Sequence, residues 1–229
     1  VEEESLKEKF EMLKKIEDNV EFNDRFSDEE FSILELFSKE KDFIIRSEVA
    51  RILVNSTCER DENILLKLSK DKNSLVRAEA CDSLSISRSK NAAKVLVNTL
   101  KKDQSGMVRA YAIHSLGSIS KKLHNEGDIK NLIKKILKKE KSNLAKISAF
   151  KVLYCLEDKE NLSFLINRVN AKKYQNRCAV INCLEEISDE GDKEINEIIK
   201  ETLLSHLEVE KNEVVISIIE NLLKKLTKI

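Results

Sequence analysis

One phrase returns along this chain: Val76-Arg77-Ala78-Glu79-Ala80-Cys81-Asp82-Ser83-Leu84, and again Val108-Arg109-Ala110-Tyr111-Ala112-Ile113-His114-Ser115-Leu116. Weaker copies run Ile45-Arg46 to Leu53, Ala145-Lys146 to Leu153, Asn176-Arg177 to Leu184 and Val214-Val215 to Leu222. The anchors are 31, 32, 37, 31 and 38 residues apart. A period of this size holds two helices and a turn, and its recurrence is the signature of a stacked repeat. In such a stack the core is a thin seam between neighbouring hairpins. Function is therefore expected on an open surface rather than in an enclosed pocket.

Nothing in the composition opposes helices. Proline is absent and only four of 229 residues are glycine, so the usual helix breakers and strand punctuation are missing. The reading is a single all-α domain, with each repeat made of a helix A, a short turn and a helix B. An N-terminal cap covers 1–26, and repeats cover 27–57, 58–87, 88–121, 122–157, 158–188 and 189–229. Ser27 and Glu30 have the spacing of a capping box at the start of the first helix A, and Phe31, Leu34 and Phe37 give that helix its apolar stripe. Leu6, Phe10, Leu13 and Ile16 mark the amphipathic capping helix.

Within the phrase, let the residue before the arginine be position zero. Positions zero, four, five and eight then lie on one side of helix B and form its packing face. Ala80, Ala112 and Ala149 at position four let neighbouring helices approach closely.

Arg46, Arg77, Arg109 and Arg177, with Lys146 in the same place, each follow by six residues a turn position held by Glu40, Asp71, Asp103, Ala171 and Glu140 respectively. We read these as a structural ladder: the acid, above all Asp71 and Asp103, serves backbone amides of the turn, and the cation joins consecutive turns. Val215 stands where the last repeat would need its arginine.

The phrase Asp-x-x-x-x-Val-Arg-x-x-Ala-x-x-x-Leu, at Asp71–Leu84 and Asp103–Leu116, resembles the HEAT-repeat superfamily, most closely the short repeats of the phycobilisome-lyase-like type. The resemblance spans roughly 28–226. It implies a right-handed α-solenoid of about six helix-hairpin repeats, with A helices outside and B helices lining a concave face. It implies little about activity, since members act as scaffolds, inhibitors, transport receptors and subunits, and a minority act on chromophores or DNA.

Positions three and six of each helix B should then face outward from the core. They carry Glu79, Tyr111, Arg51, Asp82, His114, Lys151 and Asn182, which vary while the core positions do not. We take these, with Tyr154, as the candidate protein-binding residues, centred on Tyr111 and His114 and flanked by Asp82 and Lys151. A tyrosine gives large contact area at low entropic cost, and surrounding charges select the partner. His114 with Asp82 can also be drawn as an acid–base pair, but no nucleophile or closed pocket accompanies it.

Charge is balanced overall and uneven locally. Residues 1–64 hold 10 basic and 19 acidic side chains, residues 65–177 hold 25 and 10, and residues 178–229 hold 6 and 12. Much of the basic excess is Lys130, Lys134, Lys135, Lys138, Lys139 and Lys141 on one helix A, opposite an apolar side of Ile129, Leu132, Ile133, Ile136 and Leu137.

The leading expectation is a non-catalytic scaffold or adaptor for a protein or peptide. The alternative is nucleic-acid binding on a fold resembling the alkylpurine DNA glycosylases, which use indole side chains that this chain, without tryptophan, does not have. A bilin lyase is a further alternative, with Tyr111, His114 and Tyr154 as its candidates.

The five cysteines, Cys58, Cys81, Cys155, Cys178 and Cys183, form no CxxC pair and read as small buried hydrophobes in a reducing compartment. His114, His124 and His206 lack ligand spacing, so no metal and no cofactor are expected. No stretch approaches the roughly 20 apolar residues of a membrane span, and Glu2-Glu3-Glu4 is the reverse of a signal peptide's basic start. The expected location is cytoplasmic.

Overall fold

The computed structural model describes residues 2–23, 25–56 and 58–227. The first helix, α1, is Glu2–Asn23. The A–B pairs follow: α2 (Asp28–Phe37) with α3 (Phe43–Ile52), α4 (Glu59–Leu68) with α5 (Ser74–Ser83), and α6 (Lys90–Lys102) with α7 (Gly106–Leu123). They continue with α8 (Glu126–Leu137) and α9 (Asn143–Cys155), α10 (Leu162–Arg168) and α11 (Tyr174–Glu190), and α12 (Lys193–Leu207) and α13 (Glu213–Leu226). The fold is an all-α solenoid of helix hairpins, in two compact units that divide between Ile129 and Lys130.

Local chemistry sets where the helices begin. The Ser27 amide donates to Glu30 Oε2 at 2.8 Å and the Glu30 amide to Ser27 Oγ at 3.2 Å, closing the capping box of α2. Among the B helices, Asp42, Asn73, Ser105, Ser142 and Asn212 each accept an amide of the first turn. Each cap satisfies a donor that the helix cannot satisfy itself, a contribution of about 1 kcal/mol.

The buried face is built from the repeated phrase. In the first unit Ile45, Val76 and Val108, then Val49, Ala80 and Ala112, then Leu53, Leu84 and Leu116 are all fully buried. These residues pack α3 on α5 and α5 on α7. The Ser83 hydroxyl donates to the Ala50 carbonyl at 2.7 Å, an approach between helices that small residues permit. In the second unit Ala145, Ala149 and Leu153 of α9 and Asn176, Val180 and Leu184 of α11 occupy the same positions and are buried. Burying a Val or Leu side chain contributes about 1.5–3 kcal/mol, so this seam is the main source of stability.

Two expectations need correction. In the last repeat Val214 is 54% exposed whereas Val215 is fully buried. The cap Asn212 sets the start of α13, and position zero falls three residues after the cap, as it does after Asp42, Asn73 and Ser105. The arginine position is therefore Ile216, one residue later than the sequence suggested. Cys58 is also not a core residue, because it precedes the first residue of α4 and is exposed. Cys81, by contrast, is fully buried, and burial pushes its thiol and that of Cys183 up to about 12. Among the described residues no helix is long and apolar enough to cross a membrane.

Candidate functional site

The arginine ladder has a repeated geometry. Arg46 Nη1 donates to the carbonyls of Glu40 and Lys41 in its own turn, at 2.6 and 2.9 Å. Its Nε and Nη2 donate to the two oxygens of Asp71 in the next turn, at 2.7 and 2.9 Å. Arg77 makes the same bonds one repeat on, to the carbonyls of Asp71 and Lys72 and, at 2.7 and 2.9 Å, to the Asp103 carboxylate. Arg109 Nη1 donates to the carbonyls of Asp103 and Gln104. In the second unit Arg177 holds the Ala171 and Lys172 carbonyls and grips Glu210 at 2.6 and 2.8 Å. At Lys146 the next turn carries Ala171 in the carboxylate position, so a charged rung cannot form there.

Each ladder acid has a second task. Asp71 accepts the Asn73 amide and Asp103 the Ser105 amide, both at 2.8 Å. Desolvation works to raise both carboxyls, but the arginine and amide bonds outweigh it and hold them below the usual range. Glu210 is held down to about 2: desolvation is overcome by Arg177, the Asn212 and Lys211 amides and His206. The sequence reading did not include two further members. Glu210 is one, and its signal was an acid two residues before an Asn or Ser cap, as at Asp71-x-Asn73, Asp103-x-Ser105 and Glu140-x-Ser142. Lys9 of α1 is the other. It pairs with Glu40 at 2.8 Å and so closes the first end of the ladder.

On the exposed side of α3, α5 and α7 the structure brings together the candidates of the first unit. Tyr111 is 37% exposed, and Glu79, Asp82 and His114 are half-buried. His114 Nδ1 lies 3.7 Å from Asp82 Oδ1. Arg51 is not a free cation. Its Nη1 and Nη2 each lie 2.6 Å from a Glu17 oxygen, and Glu48 takes its Nε and Nη2 at 3.1 and 2.6 Å. Glu17 comes from α1, which a reading restricted to B helices does not reach.

Glu79 sits among like charges: burial first, then Asp82, push its carboxyl up, against the pull of Arg51. Burial, then Asp82 and Glu79, raise the Tyr111 phenol. The face thus gathers four carboxylates, of Glu17, Glu48, Glu79 and Asp82, around one guanidinium and one exposed aromatic ring.

The second unit treats its candidates differently. Tyr154 is only 6% exposed and belongs to the core, with the Lys159 ammonium 4.3 Å from its ring centre. At 100° per residue, position nine falls about 40° beyond buried position five, on the packed side of the helix. Tyr154 is therefore withdrawn as a contact residue. Lys151 pairs with Glu186 and its side chain is 12% exposed, so it is not a cation free for a partner. Asn182 is exposed. Two of the clustered lysines also serve the fold: Lys130 donates to the Leu156 carbonyl at 3.2 Å, and Lys134 pairs with Asp158 at 2.6 Å.

Helix hairpins repeated in register, and fastened turn to turn by guanidinium–carboxylate rungs, define a helical-repeat protein. Residues 32–117 match the family described as HEAT repeats. Among solved structures, the complex of CpcE and CpcF of phycocyanin lyase from Nostoc sp. PCC7120 is similar at 16% identity and a TM-score of 0.55, over 87% of this chain and 83% of that one. At that identity the likeness is one of fold. Two engineered proteins are also similar, each at 16% identity. One covers 86% of this chain and 96% of its own at a TM-score of 0.44, the other 89% and 62% at 0.43. No curated protein matches the chain.

Proposed function

We propose that the chain is a non-catalytic interaction scaffold that holds a basic segment of a protein partner on the B-helix face of its first unit. HEAT repeats in general support such a role. The observation that carries the finer reading is the surplus of carboxylates beside Tyr111: Arg51 answers Glu17 and Glu48, while Glu79 and Asp82 crowd each other. A lysine or arginine brought between Glu79 and Asp82 would relieve that repulsion, and Tyr111 would supply the apolar contact. This face repels phosphate, which counts against a nucleic acid occupying it.

Binding partners recovered from the native cell extract test the reading. Partners held through this face are expected to be lost with Glu79→Lys and Asp82→Lys together, and weakened by Tyr111→Ala with His114→Ala. Unchanged recovery with both variants would remove the face from consideration. A bilin-handling role rests on the likeness of fold to the phycocyanin lyase complex, and of its three sequence candidates only Tyr111 and His114 reach the surface.

A further inference from the structure

The turns joining A to B helices in the first unit form a second surface of opposite charge. The ladder is its cause. Arg46 bonds the carbonyls of one turn and the carboxylate of the next, and Arg77 does the same one repeat on, so three consecutive turns lie one guanidinium apart. The acids of the second and third turns, Asp71 and Asp103, are consumed inside these rungs.

The lysines beside those acids are left over. Lys41, Lys70, Lys72, Lys101 and Lys102 are all exposed. Lys41 and Lys72 act through space on Glu40 and Asp71, but those carboxylates are gripped by Lys9 and Arg46. Apolar side chains interleave with them. Ile44 and Leu75, each the second residue of its helix B, are 44% and 45% exposed, and Phe43 is 36% exposed.

We propose that this turn edge docks an acidic protein segment that also carries apolar side chains. Charge complementarity selects the acidic character, and Ile44, Leu75 and Phe43 select the apolar residues. The edge is poorly made for phosphate, whether of a nucleic acid or of a lipid headgroup. Helix N-terminal amides bind phosphate when they are free, but here Asp42, Asn73 and Ser105 already occupy amides of all three B helices. Asp42 adds a negative charge at the first. The ladder arginines, the side chains best shaped for phosphate, are engaged. This edge is distinct from the face carrying Glu79 and Asp82, and the inference stands without it.

The test titrates the full chain into labelled probes. They are a peptide of about 20 residues alternating Glu and Leu, a polyglutamate peptide of equal length, a single-stranded RNA oligonucleotide, and phosphatidylcholine vesicles doped with phosphatidylserine. The alternating peptide is expected to bind about tenfold more tightly than polyglutamate and to weaken as salt rises. Leu75→Ser, and separately Lys70→Glu with Lys72→Glu, are each expected to weaken it about fivefold or more. These are exposed positions, and an unchanged thermal midpoint verifies the fold. Glu79→Lys with Asp82→Lys is expected not to weaken it, which separates the two surfaces. Equal affinity for polyglutamate, tighter binding of RNA or vesicles, insensitivity to the edge substitutions, or no binding of any probe would each overturn the proposal.

Discussion

In the first unit each turn acid has its cation: Lys9 holds Glu40, Arg46 holds Asp71 and Arg77 holds Asp103. In the second unit one rung is missing, because Ala171 stands opposite Lys146, and the next is doubled, because Glu210 is gripped by Arg177 and also bonded by His206 at 2.9 Å. Where the rung is missing the hairpins still stack. The Phe150 and Phe164 rings lie 3.6 Å apart, fastening α9 to α10. The ladder is thus a repeated fastening, and within each unit the apolar seam is a continuous one. A hairpin can lose the first without losing its place in the stack. A buried carboxylate can never lose its cation so cheaply, since its desolvation remains.

The contrast can be broken by substitution. Arg177→Ala is expected to be the most damaging change, at about 3–5 kcal/mol in urea unfolding, because it strands a carboxylate whose side chain is 3% exposed. Arg77→Ala should cost less, about 3 kcal/mol, since the Asp103 side chain is 10% exposed. A loss for Lys146→Ala as large as that for Arg177→Ala would show that the rungs are equivalent after all. Next in size, Ala112→Leu tests the seam itself. Overpacking a fully buried alanine is expected to cost about 1–3 kcal/mol in the same assay.

Acid sharpens the comparison. The Glu210 carboxyl lies near 2 in the fold against an ordinary value of 4.5, so its contribution is fully present above about 4.5 and is lost as pH falls toward 2. Urea midpoints measured across that window should fall more steeply for the wild type than for Glu210→Gln, which has no charge to lose there. The smallest effect is expected at the missing rung: Lys146→Ala should change stability by less than about 0.5 kcal/mol. Lys146→Arg combined with Ala171→Asp should build a rung and add about 1 kcal/mol, measured as a double-mutant cycle.

The repeat was legible in the sequence because the seam uses the same few residues at the same positions, and burial punishes departures. Arg46, Arg77 and Arg177 were legible for the same reason. The rest depended on geometry that spacing does not carry. Glu210 lies 33 residues beyond Arg177, whereas Asp71 and Asp103 lie 25 and 26 beyond their arginines, so a fixed period passes over it. Tyr154 was misplaced because one residue of helix rotates a side chain by 100°, enough to cross from solvent to core. Arg51 was read as available because Glu17 belongs to a helix outside the repeat. Exposure of Tyr111 was readable from its position, but what surrounds it was not.

Lys9 occupies the place beside Glu40 that an arginine of one more hairpin would take. Helix α1 thereby serves the first hairpin as a neighbouring hairpin serves the others. With it displaced, the Glu40 carboxylate would lose its cation and the apolar side of α3 would meet water. One lysine and the buried side of α1, Leu13, Ile16 and Val20, thus give the first hairpin both of the fastenings that later hairpins give one another.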